Sequence, residues 1–206
     1  MDAFEKISLP DVSKIVIVAS GKGGVGKSTV SANLAVSLAR QGYNVALVDA
    51  DIYGPSVPRM FGIEGEKPLA DEVNGKEVIQ PIEKNGVKIM SIGFFVENNQ
   101  GLIWRGPMAA NAITQLIECT QWGKIDFMII DFPPGTGDIQ LTAVQKLNIS
   151  GAILVTTPQE IALNDARKAA SMFQNPDIHI PVIGVIENMS WFTPGIHPDE
   201  KYFIFG

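Results

Sequence analysis

The clearest chemistry in the sequence lies in Gly21 to Thr29, which reads GKGGVGKST. The spacing of Gly21, four residues, Gly26, Lys27 and Ser28 matches a phosphate-binding loop, in which glycines let backbone N–H groups turn toward phosphates. We expect Lys27 to contact the β- and γ-phosphates of ATP and the Ser28 hydroxyl to bind Mg²⁺. The predicted ATP-binding segment is Gly21, Lys22, Gly23, Gly24, Val25, Gly26, Lys27, Ser28 and Thr29. One lysine is enough for this role, so Lys22 needs a separate explanation.

Three aspartates at strand ends supply the carboxylates that such a site needs. Asp131 follows the apolar run FMII, and we assign it to Mg²⁺. Asp49 and Asp51 lie two apart in VDADIYGPS, so both side chains point the same way if the backbone stays extended. We assign Asp51 to the attacking water and Asp49 to the Mg²⁺ shell. The sequence does not separate these two roles, and a helix-cap or turn role for one of the pair is an alternative.

Asn188, in VIENMS, follows the last predicted strand. Its amide both donates and accepts hydrogen bonds and could therefore recognise adenine. An isolated asparagine at a strand end is also a common turn residue.

Short β-branched runs alternate with longer helical patterns along the whole chain. This alternation predicts a three-layer, doubly wound α/β fold with a mostly parallel sheet, in which ligands bind at the carboxyl ends of the strands. The predicted strands are 14–20, 44–50, 87–93, 126–131, 151–157 and 181–189. The predicted helices are 27–41, 107–121, 138–147 and 161–173.

The remaining organisation is simple. Residues 64–85 are polar and punctuated by glycine, which indicates an excursion from the fold, and KNGVK is typical of a hairpin turn. We expect residues 1–206 to form one ATPase domain. The apolar ending KYFIFG leads us to expect a truncation at the C-terminus.

Composition excludes several classes of protein. A formal net charge of −6 without a basic tract argues against nucleic-acid binding. The N-terminus lacks a signal peptide and the apolar runs are too short for a bilayer, so we expect no membrane association. A single cysteine, Cys119, excludes an internal disulfide and fits a reducing cytoplasm.

Taken together, the motifs resemble one family. GKGGVGKST resembles the deviant phosphate loop of the SIMIBI class, which includes MinD, ParA and the nitrogenase iron protein. DADIYGPSVPRMFG, WRGPM, DFPPGTGD and ENMSWF are similar to the Mrp (ApbC) family of iron–sulfur cluster carrier ATPases within that class. The resemblance covers about Lys14 to Phe192. It implies a homodimer with nucleotide at its interface, apo iron–sulfur proteins as clients, and a role in ATP hydrolysis for Lys22, which would reach the partner's phosphates.

The sequence departs from this family at one place. The family usually carries a Cys-Pro-x-Cys motif after ENMSxF, whose thiolates hold a shared [4Fe–4S] cluster, but here Thr193 to Ile196 read TPGI. Cys119 lies in an amphipathic helical pattern and is expected to be a packed, inert thiol. His197, Asp199 and Glu200 are better explained by a solvated, proline-rich loop than by a metal site.

Two other functions fit a phosphate loop. A MinD- or ParA-like spatial regulator would need a terminal amphipathic helix or a basic face. A small-molecule kinase would need an acceptor pocket. The sequence shows none of these features, so it favours the carrier ATPase.

Overall fold

A computed structural model describes residues 6–73, 75–95 and 106–205 of the chain. Its main sheet has seven strands: β1 (Val12–Ala19), β2 (Val45–Asp49), β5 (Ile82–Lys84), β6 (Val87–Ser91), β7 (Ile125–Asp131), β8 (Gly151–Thr156) and β9 (Val182–Glu187). Their order is β5-β6-β2-β7-β1-β8-β9. Of these seven described strands, β5 alone runs antiparallel to its neighbour. The predicted fold class is confirmed: the sheet is mostly parallel.

Within the described residues, five α-helices cover the two faces of this sheet: α1 (Lys27–Arg40), α2 (Val57–Phe61), α3 (Gly106–Glu118), α4 (Asp138–Lys146) and α5 (Glu160–Phe173). One apolar cluster joins α1 and α2 to one face, through residues such as Ala35 and Phe61. A second cluster joins α3, α4 and α5 to the other face, through residues such as Ile113, Ala143 and Phe173. The result is the three-layer arrangement expected from the sequence.

The predicted strands and helices are all present, and none of their ends differs from the prediction by more than three residues. The hairpin predicted at KNGVK joins β5 to β6, and Asn85 and Gly86 both have positive φ. The sequence reasoning missed α2, which is only one turn long, and a small antiparallel pair, β3 (Ala70–Val73) with β4 (Lys76–Ile79). Trp104 and Arg105 of the WRGPM motif lie outside the described residues.

Strand β9 forms one edge of the sheet and pairs with β8. It is unusually exposed for a strand so rich in apolar residues. Ile183 and Val185 are 57% and 63% exposed, and Ile186, which points to the other face, is 38% exposed. Both faces of this edge strand therefore present apolar side chains to solvent.

Candidate functional site

The sheet order brings the predicted phosphate loop and the acidic residues together. β1 leads into the loop and lies beside β7, while β7 lies beside β2. In the registers of these pairs, Asp131 is opposite Val18 on one side and opposite Asp49 on the other. Because parallel strands end at the same edge, the loop and the carboxylates meet at the carboxyl end of the sheet.

The phosphate loop opens into a cleft of about 350 Å³. Helix α1 begins at Lys27 without a side-chain cap, so its first backbone N–H groups remain available to an anion. The cleft is lined by Ser20, Gly23, Gly24, Gly26, Lys27, Ser28, Thr29, Asp51, Gly54, Ser56, Met60, Pro134 and Met189. The predicted loop residues Gly21, Lys22 and Val25 are not part of this lining. Gly21 packs against the backbone of Asp165 in α5.

Lys22 extends toward a different part of the protein. Its Nζ atom donates to Oε1 of Gln159, just before α5, at 3.3 Å. Lys22 therefore makes a weak, exposed contact with a neutral amide of its own chain, which it can exchange for an anion at little cost.

Lys27 occupies the centre of the site. Its ammonium is 2.8 Å from Asp131 Oδ1 and 3.4 Å from Asp51 Oδ2, and the residue is only 5% exposed. The Ser28 hydroxyl lies 3.4 Å from the same nitrogen. A buried ammonium needs compensating anions, and without nucleotide the two carboxylates provide them.

Asp131 is fully buried, and its two oxygens differ. Oδ1 accepts hydrogen bonds from Lys27 Nζ and from Ser31 Oγ, each at 2.8 Å. Oδ2 is buried with no hydrogen-bond partner among the described residues. Buried polar atoms are almost always satisfied, so this oxygen is a candidate metal ligand. The Ser28 hydroxyl and Asp131 both contact the Lys27 ammonium, and their oxygens are of the kind that Mg²⁺ prefers as ligands while it keeps several waters.

Asp49 and Asp51 do not point the same way, contrary to the expectation for an extended backbone. β2 ends at Asp49, and the chain turns so that the Asp51 N–H donates to Asp49 Oδ1 at 3.2 Å. Asp49 Oδ2 accepts from the Val57 N–H at 3.1 Å and from Ser91 Oγ at 3.0 Å. Asp51 lines the cleft, whereas Asp49 is fully buried and holds the loop that carries Asp51.

The electrostatics of Asp49 follow from its burial. Loss of water, reinforced by the negative charge of Asp131, raises the pKa of Asp49 from 3.8 to about 7, although its three hydrogen bonds act in the opposite direction. The geometry favours a positioning role for Asp49, and its assignment to the Mg²⁺ shell stays a prediction.

Asn188 braces the phosphate loop. Its side-chain Nδ2 donates to the Val25 carbonyl at 2.9 Å, and its backbone N–H donates to Thr156 at 2.8 Å. Gly26, with φ of 88°, lies so close to Nδ2 that a Cβ there would overlap it. The amide thus shapes the loop directly, and the prediction that it also recognises adenine remains untested.

The segment that replaces the cysteine motif forms an exposed loop. Phe192 and Tyr202 pair across it as an antiparallel bridge. Within it, His197 Nδ1 lies 3.8 Å from Glu200 Oε1, and no group of three or more potential metal-binding side chains occurs among the described residues. Cys119 is half-buried and lies just after the last residue of α3, not within the helix as expected.

Comparison with known proteins assigns the chain to a family. The description "NUBPL iron-transfer P-loop NTPase", within the ParA group, matches residues 11–206. The chain belongs to this family. Its resemblance to iron–sulfur carrier ATPases is therefore confirmed.

Individual relatives agree with the assignment. An iron–sulfur cluster carrier protein from Aquifex aeolicus is 52% identical over 206 residues, covering 98% of this chain and 54% of the relative. One from Escherichia coli is 47% identical over 179 residues, covering 87% of this chain and 47% of the relative. The chain spans about half the length of these curated relatives.

Solved structures extend the comparison. A nucleotide-binding protein from Archaeoglobus fulgidus, in complex with ADP, is 37% identical, with a TM-score of 0.81 over 95% of this chain and 74% of its own. The cell division ATPase MinD from Pyrococcus furiosus is 23% identical, with a TM-score of 0.61 over 85% of this chain and 71% of its own. The MinD similarity shows the fold alone.

No described helix has the length and apolar character needed to span a bilayer.

Sequence reasoning missed two hydroxyl groups in this site. Ser31 contacts Asp131, and Ser91 contacts Asp49. The spacing of Ser31, four residues after Lys27, places both on one face of α1 and could have suggested the first contact. Ser91 lies on another strand, so the sequence offers no comparable signal for it.

Proposed function

We propose that this chain binds Mg·ATP in the phosphate-loop cleft, hydrolyses it as a nucleotide-bridged homodimer, and acts as a carrier or scaffold in iron–sulfur cluster assembly. The observation that carries the proposal is the buried Lys27 ammonium, which forms ion pairs with both Asp131 and Asp51. This arrangement holds a cation where phosphates would arrive and two carboxylates where a metal and a water would be needed.

The residues have distinct tasks in the proposed reaction. The backbone of Gly21–Thr29 and the N-terminus of α1 bind the phosphates, and Lys27 leaves Asp131 to contact them. Ser28 and Asp131 would hold Mg²⁺, which neutralises charge on the β- and γ-phosphates. Asp51, released from Lys27, orients the attacking water, while Asp49 fixes the turn on which Asp51 lies. Lys22 exchanges Gln159 for the phosphates of the partner protomer.

The iron–sulfur part of the proposal rests on the family and on the names of its curated relatives. Within these 206 residues the sequence supplies one thiol, Cys119. A [4Fe–4S] cluster usually takes four thiolates, so a dimer of this chain needs ligands from elsewhere. Apo iron–sulfur proteins, as the expected clients, are one source. The spatial-regulator alternative loses support because its structural representatives share only the fold.

The decisive experiment measures ATP binding by calorimetry and ATP hydrolysis by phosphate release. It compares the unaltered chain with two variants. Lys27→Ala should abolish binding, because it removes the phosphate contact within the protomer. Asp51→Ala should retain the ATP-bound dimer and lose turnover, because only water orientation is removed. Lys84→Ala, at an exposed position in β5, is the control and should behave like the unaltered chain.

A second assay addresses the iron–sulfur role. An apo-ferredoxin is incubated with iron and sulfide, with or without this chain and Mg·ATP, and cluster formation is followed by absorption. The chain should accelerate cluster formation, and Lys27→Ala should remove the effect of ATP. Unchanged ATP affinity in Lys27→Ala would remove the phosphate-loop assignment. No acceleration by a chain that hydrolyses ATP would separate the enzyme from the carrier role.

A further inference from the structure

The unequal surroundings of the Asp131 oxygens point to a role for Ser31. Oδ1 has two donors, Lys27 Nζ and Ser31 Oγ, while Oδ2 is buried without a partner among the described residues. A carboxylate can rotate about its terminal bond, which would exchange the two oxygens. A donor fixed on Oδ1 opposes this rotation and leaves Oδ2 free.

Ser31 is well placed to be that donor. It is fully buried on α1, and its Oγ lies 2.8 Å from Asp131 Oδ1 and 3.1 Å from the Lys27 carbonyl. A hydroxyl has one proton, so it donates to one acceptor at a time, and the shorter contact to a carboxylate is the stronger one. The helix backbone fixes Ser31 in place, independently of the Lys27 side chain.

The two donors differ in what ATP does to them. Under the proposed function, on which this inference rests, the Lys27 ammonium moves to the phosphates. Ser31 then remains as the donor on Oδ1 at the stage when Oδ2 is needed. We propose that Ser31 is a positioning residue that orients Asp131 toward Mg²⁺ in the nucleotide-bound state.

The test compares ATP affinity with Mg²⁺ and with EDTA, measured by calorimetry, for the unaltered chain, Ser31→Ala and Ser31→Thr. Ser37→Ala is the matched control, because Ser37 lies on an exposed part of the same helix. In Ser31→Ala, affinity in EDTA should stay unchanged, and the enhancement by Mg²⁺ should fall by roughly 10-fold, the effect of losing one hydrogen bond to a charged group. Ser31→Thr keeps the hydroxyl and should restore the enhancement.

A fourth variant separates positioning from general support of the fold. In an Asp131→Asn background, Ser31→Ala should cause no further loss of the Mg²⁺ effect, because the carboxylate it orients is gone. Full Mg²⁺ enhancement in Ser31→Ala would overturn the inference. So would an equal loss of affinity with and without Mg²⁺, since that pattern indicates a damaged loop. Failure of the proposed function is a different result: the unaltered chain itself would not bind ATP.

Discussion

The contact between Asn188 and Gly26 can be tested by changing both residues. A Cβ on Gly26 would overlap Asn188 Nδ2, so Gly26→Ala forces the amide to move and to lose its hydrogen bond to the Val25 carbonyl. Asn188→Ala removes the same hydrogen bond directly. The two substitutions therefore share one loss, and their costs should not add.

The magnitude follows from two terms. Alanine at a φ of 88° costs about 1–2 kcal/mol in backbone strain. The lost hydrogen bond costs about 1 kcal/mol. Gly26→Ala should thus destabilise the chain by about 2–3 kcal/mol and Asn188→Ala by about 1 kcal/mol. The double variant should cost about 1 kcal/mol less than the sum, because the hydrogen bond is lost only once.

Urea unfolding of the nucleotide-free protein measures these free energies. The matched control pairs Asn188→Ala with Gly24→Ala, since Gly24 has a similar φ of 80° but open space where its Cβ would lie. That pair should be additive within about 0.5 kcal/mol. If the costs of Gly26→Ala and Asn188→Ala were additive as well, the view that Asn188 braces the loop would be refuted. The ATP affinity of the variants that carry Gly26→Ala should fall together with their free energy of unfolding.

Three further predictions concern the charged and sulfur groups. Lys22→Ala should bind ATP but lose nucleotide-dependent dimerisation and hydrolysis, as seen by light scattering and phosphate release; normal behaviour in both assays would leave Lys22 without a role in the partner's site. The raised pKa of Asp49 means that the folded state keeps a proton that the unfolded state has released. The free energy of unfolding should therefore fall by up to about 1.4 kcal/mol per pH unit as pH rises between about 4.5 and 7. Urea titrations in EDTA should show that the free energy of unfolding depends less steeply on pH in Asp49→Asn than in the unaltered chain. Equal dependences would contradict the raised pKa of Asp49. Anaerobic reconstitution with iron and sulfide should yield no stable [4Fe–4S] cluster on the chain alone; a cluster that is lost in Cys119→Ser would contradict the view of this thiol as inert.

The sequence predicted the sheet, the phosphate loop and the strand-end position of Asp131, because each depends on a local pattern. The alternation of strands and helices requires parallel crossovers, and these bring strand ends to one edge. The tilt of Asp49 away from the cleft was not predictable, since it depends on a turn after β2 and on Ser91 from another strand. The brace made by Asn188 is also a tertiary contact, because donor and acceptor are separated by 163 residues in the sequence. Adenine recognition and the reach of Lys22 depend on a ligand and a partner, so neither follows from one chain.

The exposed edge strand β9 should favour self-association of this chain at high concentration. An unpaired strand edge is a template for pairing with another copy of the chain, and this pairing needs no nucleotide. A positive charge at Val185, which is well exposed, should oppose this pairing while leaving the cleft unchanged. Scattering that rises on adding ATP can then be attributed to the nucleotide, and scattering present beforehand to the bare edge.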